Sequence, residues 1–211
     1  MRVALTFLLI FALSGCVEGP NGHLGGELVE FQSAVWAYGS SGTTMSLMLS
    51  SREDHCADVA EHTAWLEAHP DPTTEDRIAH SEERGEDDLW RATVTWWDVE
   101  FGSEAPSERR ELRENGILPS GDTTLSLWHD IRARDQEWFE GQMENTGDYI
   151  TFWGRADDAW VEAPSHDPDG ILVANGEATF GEADSPQGGD PGRIFFDVEA
   201  THCAAMEADR R

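Results

Sequence analysis

Side chains able to do chemistry gather in three stretches of this sequence. The first is a set at helical spacing: His55, Asp58, His62, Trp65 and His69. Asp58 and His62 stand four residues apart, so on a helix they share a face and could together hold a metal such as zinc. Two ligands do not complete a tetrahedral site, and the competing reading is a solvated face that carries histidines. The second stretch is Asp167-Pro168-Asp169-Gly170. It contains the Asp-x-Asp-Gly fragment of calcium loops, with Asp167 and Asp169 as oxygen donors. The other acidic ligands of an EF-hand are missing: Ser165 falls at its first position and Gly176 at its twelfth. A tight turn is the simpler reading. The third feature is a set of nine tryptophans. Trp96 and Trp97 are neighbours in a strand-like run and so point to opposite faces. Trp97, Trp128 and Trp160 are the candidates for exposed rings that stack on the pyranose rings of a glycan. The alternative is that the indoles fill the core and cover its rim.

Motifs of the common hydrolases are missing. There is no His-Glu-x-x-His run, no Gly-x-Ser-x-Gly elbow and no phosphate-cradling glycine loop. Gly39-Ser40-Ser41-Gly42 has the wrong spacing and reads as a turn. Carboxylates are so abundant that an acid–base pair could be drawn anywhere by chance. No enzymatic activity and no cofactor are expected.

The N-terminus carries the most specific pattern. Arg2 is followed by an apolar run, Val3 to Leu13, broken only by Thr6, and then by Ser14, Gly15 and Cys16. The run has signal-peptide length. It is too short to span a bilayer, which takes roughly 20 apolar residues. Leu13-Ser14-Gly15-Cys16 resembles the lipobox of bacterial lipoproteins. The resemblance covers residues 1–16 only; the rest resembles no nameable family. It implies that the thiol of Cys16 takes up diacylglycerol and that the chain is cut before it. Two or more acyl chains then hold a protein to a membrane stably. Val17 stands where an aspartate would favour inner-membrane retention, so the resemblance implies the outer membrane of the cell envelope if the source has one. With Cys16 committed to lipid, Cys56 and Cys203 are left as an even pair in an oxidising compartment, and a disulfide between them is expected.

Composition sets further bounds. The chain has 211 residues, with 42 acidic side chains against 14 arginines and no lysine, and a formal charge of −28. Such a surface argues against nucleic-acid binding and against electrostatic adhesion to anionic lipid. Its acidity fits a G+C-rich genome, a saline habitat or, less simply, divalent-cation capture.

The elements that must position the candidate residues follow from hydrophobic period. Residues 16–27 read as a lipidated cysteine and a Gly-rich flexible tether. Residues 28–37 and 43–49 alternate and read as a hairpin. A helix is expected over about 52–68, capped by Ser50 or Ser51 and ended before Pro70, with Cys56, Val59, Ala60, Thr63 and Leu66 inward. Residues 73–88 are almost wholly polar and read as a solvated helix or loop outside the core. Strands are expected over 89–101, 123–131, 148–153, 159–163, 171–180 and 193–203, the last two forming a long-looped hairpin, with a helical turn near 108–113. The expected fold is mainly β: an antiparallel sandwich or barrel with one inserted α-helix, closed by the disulfide, in a single domain over 28–211. The functional expectation is a lipid-anchored envelope protein with a structural or interaction role, its partners being the membrane and envelope proteins or polysaccharide. The alternatives are a glycan-binding module and a calcium- or zinc-binding protein.

Overall fold

The structure, a computed structural model, describes residues 20–24, 27–39, 42–84, 89–113, 123–131, 150–155, 158–168, 170–180 and 192–210. In chain order it runs β1 (Asn21–Leu24), β2 (Glu27–Glu30), β3 (Ser33–Tyr38), β4 (Thr44–Ser50), α1 (His55–Ala68), α2 (Thr74–Arg84), β5 (Leu89–Trp97), β6 (Arg110–Arg113), β7 (Thr123–Ile131), β8 (Ile150–Arg155), β9 (Asp158–His166), β10 (Ile171–Phe180) and β11 (Gly192–His202), then a 3-10 segment, Ala204–Arg210.

All the strands join one sheet in the order β6-β9-β10-β11-β3-β4-β5-β7-β8, with β1 pairing β11 and β2. The sheet curls until β6 lies against β7, which makes a nearly closed barrel. Every pairing is antiparallel except β11 with β3, where Thr201 and His202 run parallel to Val35 and Trp36. Strand alternation builds the interior. On β11, Ile194, Phe196, Val198 and Ala200 are buried while the residues between them are exposed. Met45, Leu47 and Leu49 of β4 and Ala92, Val94 and Trp96 of β5 do the same across the barrel. Period-2 burial of this kind fixes register, because a slip of one residue would turn every inward side chain outward. Gly176 of β10 serves the core by its size. A Cβ there would stand 2.4 Å from the Phe196 ring and 2.7 Å from the Trp160 carbonyl oxygen, so glycine lets the phenyl ring lie on the strand.

β3 is buried on both faces. Trp36 and Tyr38 join the interior cluster, whereas Val35 and Ala37 face the layer formed by α1 and the 3-10 segment. The bond between Cys56 and Cys203 locks that layer on, with Cα atoms 5.6 Å apart across a sequence separation of 147. Closing so long a loop restricts the unfolded chain by about 5 kcal/mol on the chain-entropy model.

Several expectations need correction. The tether does not extend to residue 27, because Asn21–Leu24 is a strand paired to Phe195, Ile194 and Arg193 of β11, and its Leu24 is buried. The polar stretch expected as a helix or loop is a helix, α2, so the described residues hold two α-helices where one was expected. The predicted strand over 28–37 is two strands broken at Phe31 and Gln32. The predicted helical turn near 108–113 is β6, paired to β9. The cap of α1 is Asp54, whose carboxylate accepts from the Ala57 N–H at 3.1 Å. Neither serine can serve: Ser50 stays in the β4 ladder, and the Ser51 hydroxyl accepts the Trp90 N–H at 3.0 Å.

Candidate functional site

The helical stripe is largely covered rather than solvated: His55 is buried, Asp58, His62 and Trp65 are half-buried, and His69 is exposed. α2 folds back over α1, and the imidazole of His80 lies face to face on the Trp65 indole, with centroids 4.2 Å apart and planes 5° apart. His69 stacks on the same indole at 4.7 Å, and the His62 ring stands 5.5 Å from that of His80. His55, at the start of α1, is 4% exposed. Burial first, and then the charges of Arg91, Arg52 and Arg84, lower its pKa to about 4 against the opposing pull of Asp58. The inward set predicted for α1 is also revised: Ala60 is exposed, and Cys56, Val59, Thr63 and Leu66 are half-buried.

Asp58 and His62 are both engaged within this layer. The Asp58 carboxylate takes the Arg52 guanidinium at 2.7 Å, and Arg84 donates to the Asp58 backbone carbonyl at 2.9 Å. Arg52 also donates to the carbonyl of Arg84 at 3.2 Å, so these groups tie the end of α2 to α1. Two imidazoles stacked in parallel do not direct lone pairs at one metal, since a ligated metal lies in the plane of each ring. Among the described residues, no group of three or more His, Cys, Asp or Glu side chains could hold a metal ion.

At the β9–β10 connection, the Asp167 carbonyl accepts from the Gly170 N–H at 2.9 Å, and the Asp167 N–H donates to the Ile171 carbonyl at 2.9 Å. This is a closed turn. Asp169, the other calcium candidate, lies outside the described residues, as does Cys16.

The three tryptophan candidates part company. Trp97 ends β5 with 47% of its surface exposed. Trp160, on the outer face of β9, is half-buried and covered by the Arg109 guanidinium 4.1 Å from the ring centroid, a cation–π contact that occupies the surface a sugar would need. Trp128 stands in β7, opposite Arg91 of β5 and Trp153 of β8 in the ladder; its side chain is outside the described residues.

Sequence reasoning missed a polar cluster inside one end of the barrel. Trp36 is fully buried, and its indole N–H donates to the Gly170 carbonyl at 3.0 Å. Its ring meets His166 edge-on at 4.4 Å and His202 at 4.6 Å. The His166 Nδ1 accepts the Ala105 N–H at 2.8 Å, which leaves its proton on Nε2 in the neutral ring. Burial lowers the pKa of His166, opposed by the nearby carboxylates Glu104 and Asp167. Glu207 of the 3-10 segment accepts from the Tyr38 backbone N–H at 3.0 Å and pairs with the His202 Nε2 at 2.9 Å. The Tyr38 hydroxyl donates to the Ser103 carbonyl at 2.7 Å. A histidine oriented by a carboxylate can act as a base. The pair here faces indole and phenol rings, and what the geometry accomplishes is to seal the barrel end and pin the C-terminal segment to it. The signal was present in the sequence only as strand-terminal histidines, at positions 166 and 202.

No family model, no curated protein and no solved structure matches this chain. Among the described residues, no helix is long and apolar enough to cross a membrane.

Proposed function

We propose that this protein is an exported lipoprotein, held at an envelope membrane through acylated Cys16, whose barrel serves as a structural or interaction module at the membrane surface. The observation that carries this reading is the ordered leader: one basic residue, a signal-length apolar run, two small residues and Cys16. The Cys56–Cys203 bond supports it, because such bonds persist in oxidising compartments. The test is detergent partitioning of the chain produced in a bacterium that matures lipoproteins. The native sequence enters the detergent phase, and Cys16→Ser moves it to the aqueous phase. Partitioning that ignores this substitution would count against the anchor.

One observation favours a second reading, glycan binding. Trp97 presents close to half of its surface at the end of β5, and Phe101, 61% exposed, follows it. On this reading Trp97→Ala abolishes retention on an envelope polysaccharide that retains the native protein. Equal retention of both would remove it.

A further inference from the structure

We propose that the barrel lies side-on against the bilayer, through the outer wall formed by β2, β1 and the first half of β11, with Leu28 and Phe195 entering the lipid interface. This rests on the lipoprotein reading and adds the orientation of the domain.

The start of β1 supplies the argument. Asn21 is already hydrogen-bonded into the sheet opposite Phe195, and the Pro20 carbonyl accepts the Phe31 N–H at 2.9 Å. Four peptide units separate Pro20 from Cys16, and whatever path they take they span at most about 14 Å. Acylation places Cys16 at the glycerol level of the membrane. The polar zone above the hydrocarbon is only about 5–7 Å thick on each side. Pro20 is therefore kept within about 7–9 Å of the headgroup surface, which brings the wall from which it leaves close to the membrane.

That wall carries two exposed apolar side chains among polar ones. Strand alternation sends Leu24, Val29 and Ile194 inward and leaves His23, Leu28 and Phe195 outward. His23 is opposite both Leu28 and Arg193 in the ladder, and Asn21 is opposite both Phe195 and Glu30. Leu28 and Phe195 thus sit at opposite corners of one six-residue patch, 59% and 41% exposed. The acid beside Phe195 on β10, Glu177, is paired with Arg193 through a 2.7 Å bond. Glu30 lies at the patch edge and Asp197 further along β11, at the level of the polar headgroups in this orientation. A leucine and a phenylalanine left partly exposed on one wall of a chain carrying −28 are explained if lipid covers them.

The experiment uses the full lipidated chain in phosphatidylcholine vesicles that carry a nitroxide high on the acyl chain. Single variants Leu28→Cys, Phe195→Cys and, as a control, Phe101→Cys carry an environment-sensitive fluorophore, with the native disulfide left oxidised. Flotation of the same samples reports the anchor. The expected result is that all three float, that probes at 28 and 195 sit about 5–10 Å into the headgroup boundary and are quenched, and that the probe at 101 is not. Flotation with no quenching at 28 and 195, or with quenching at 101 instead, overturns the orientation and leaves the anchor standing. Shielding of 28 and 195 from water without nitroxide quenching also overturns it, by assigning the wall to a second copy of the chain. Failure to float overturns the anchor and the orientation together.

Discussion

Acidification should weaken this domain through His55 by an amount the structure sets. The ring is buried among Arg91, Arg52 and Arg84, and its pKa falls to about 4 from an unfolded value of 6.5. Between those two values the unfolded chain binds a proton that the folded chain refuses. The stability supplied by a neutral His55 is thus fully present above about pH 6.5 and is lost as pH falls toward 4. At 1.36 kcal/mol per unit, the loss approaches about 3 kcal/mol over the whole window. The many carboxylates work in the other direction, since their mutual repulsion relaxes as they protonate. A variant separates the two. His55→Met keeps the volume and removes the titration, and the His55 Nδ1 has no hydrogen-bond partner to lose. Urea unfolding followed by tryptophan fluorescence at half-unit steps from pH 7.5 to 4.5 gives both curves. The native-minus-variant difference should be flat above pH 6.5 and fall at about 1.4 kcal/mol per unit below it. Parallel curves across the range would refute the claim that His55 is held neutral by burial and arginine charge.

Reduction of Cys56–Cys203 should lower the unfolding free energy by up to about 5 kcal/mol in one transition seen alike by fluorescence and circular dichroism; two separated transitions would overturn a single barrel. Gly176→Ala should cost about 1–3 kcal/mol by overpacking against Phe196 and the Trp160 carbonyl, read as a lower urea midpoint at unchanged slope. Melting temperature should rise between low salt and about 1 M sodium chloride as the Debye length shrinks to about 3 Å; a flat response would show that repulsion across the −28 surface does not limit stability.

What the sequence disclosed was what local pattern carries. The alternation of β10 and β11 gave both strands and their hairpin, and the cysteine count gave the bond that closes the fold. β1 was hidden because Asn-Gly-His-Leu has no strand propensity of its own. It becomes a strand by pairing with β11, and Gly22 suits that place because a Cβ there would stand 2.6 Å from Ile194. β6, Arg-Glu-Leu-Arg, is built of good helix formers and is a strand through its pairing with β9. The chemistry-bearing stripe of α1 was legible as a stripe, but its fate depended on His80, which sits in a run that reads as wholly solvated. Its flat stacking on Trp65 is a tertiary contact with no local sequence signature.

The central claim, that Cys16 carries the lipid anchor, is tested most directly by the intact mass of the mature protein extracted from bacterial membranes. The predicted result is a chain beginning at Cys16 with the added mass of a diacylglyceryl group, or of that group plus an amide-linked acyl chain, and no acylated species from Cys16→Ser. A mature chain of unmodified mass, or one that retains residues 1–15, would contradict it.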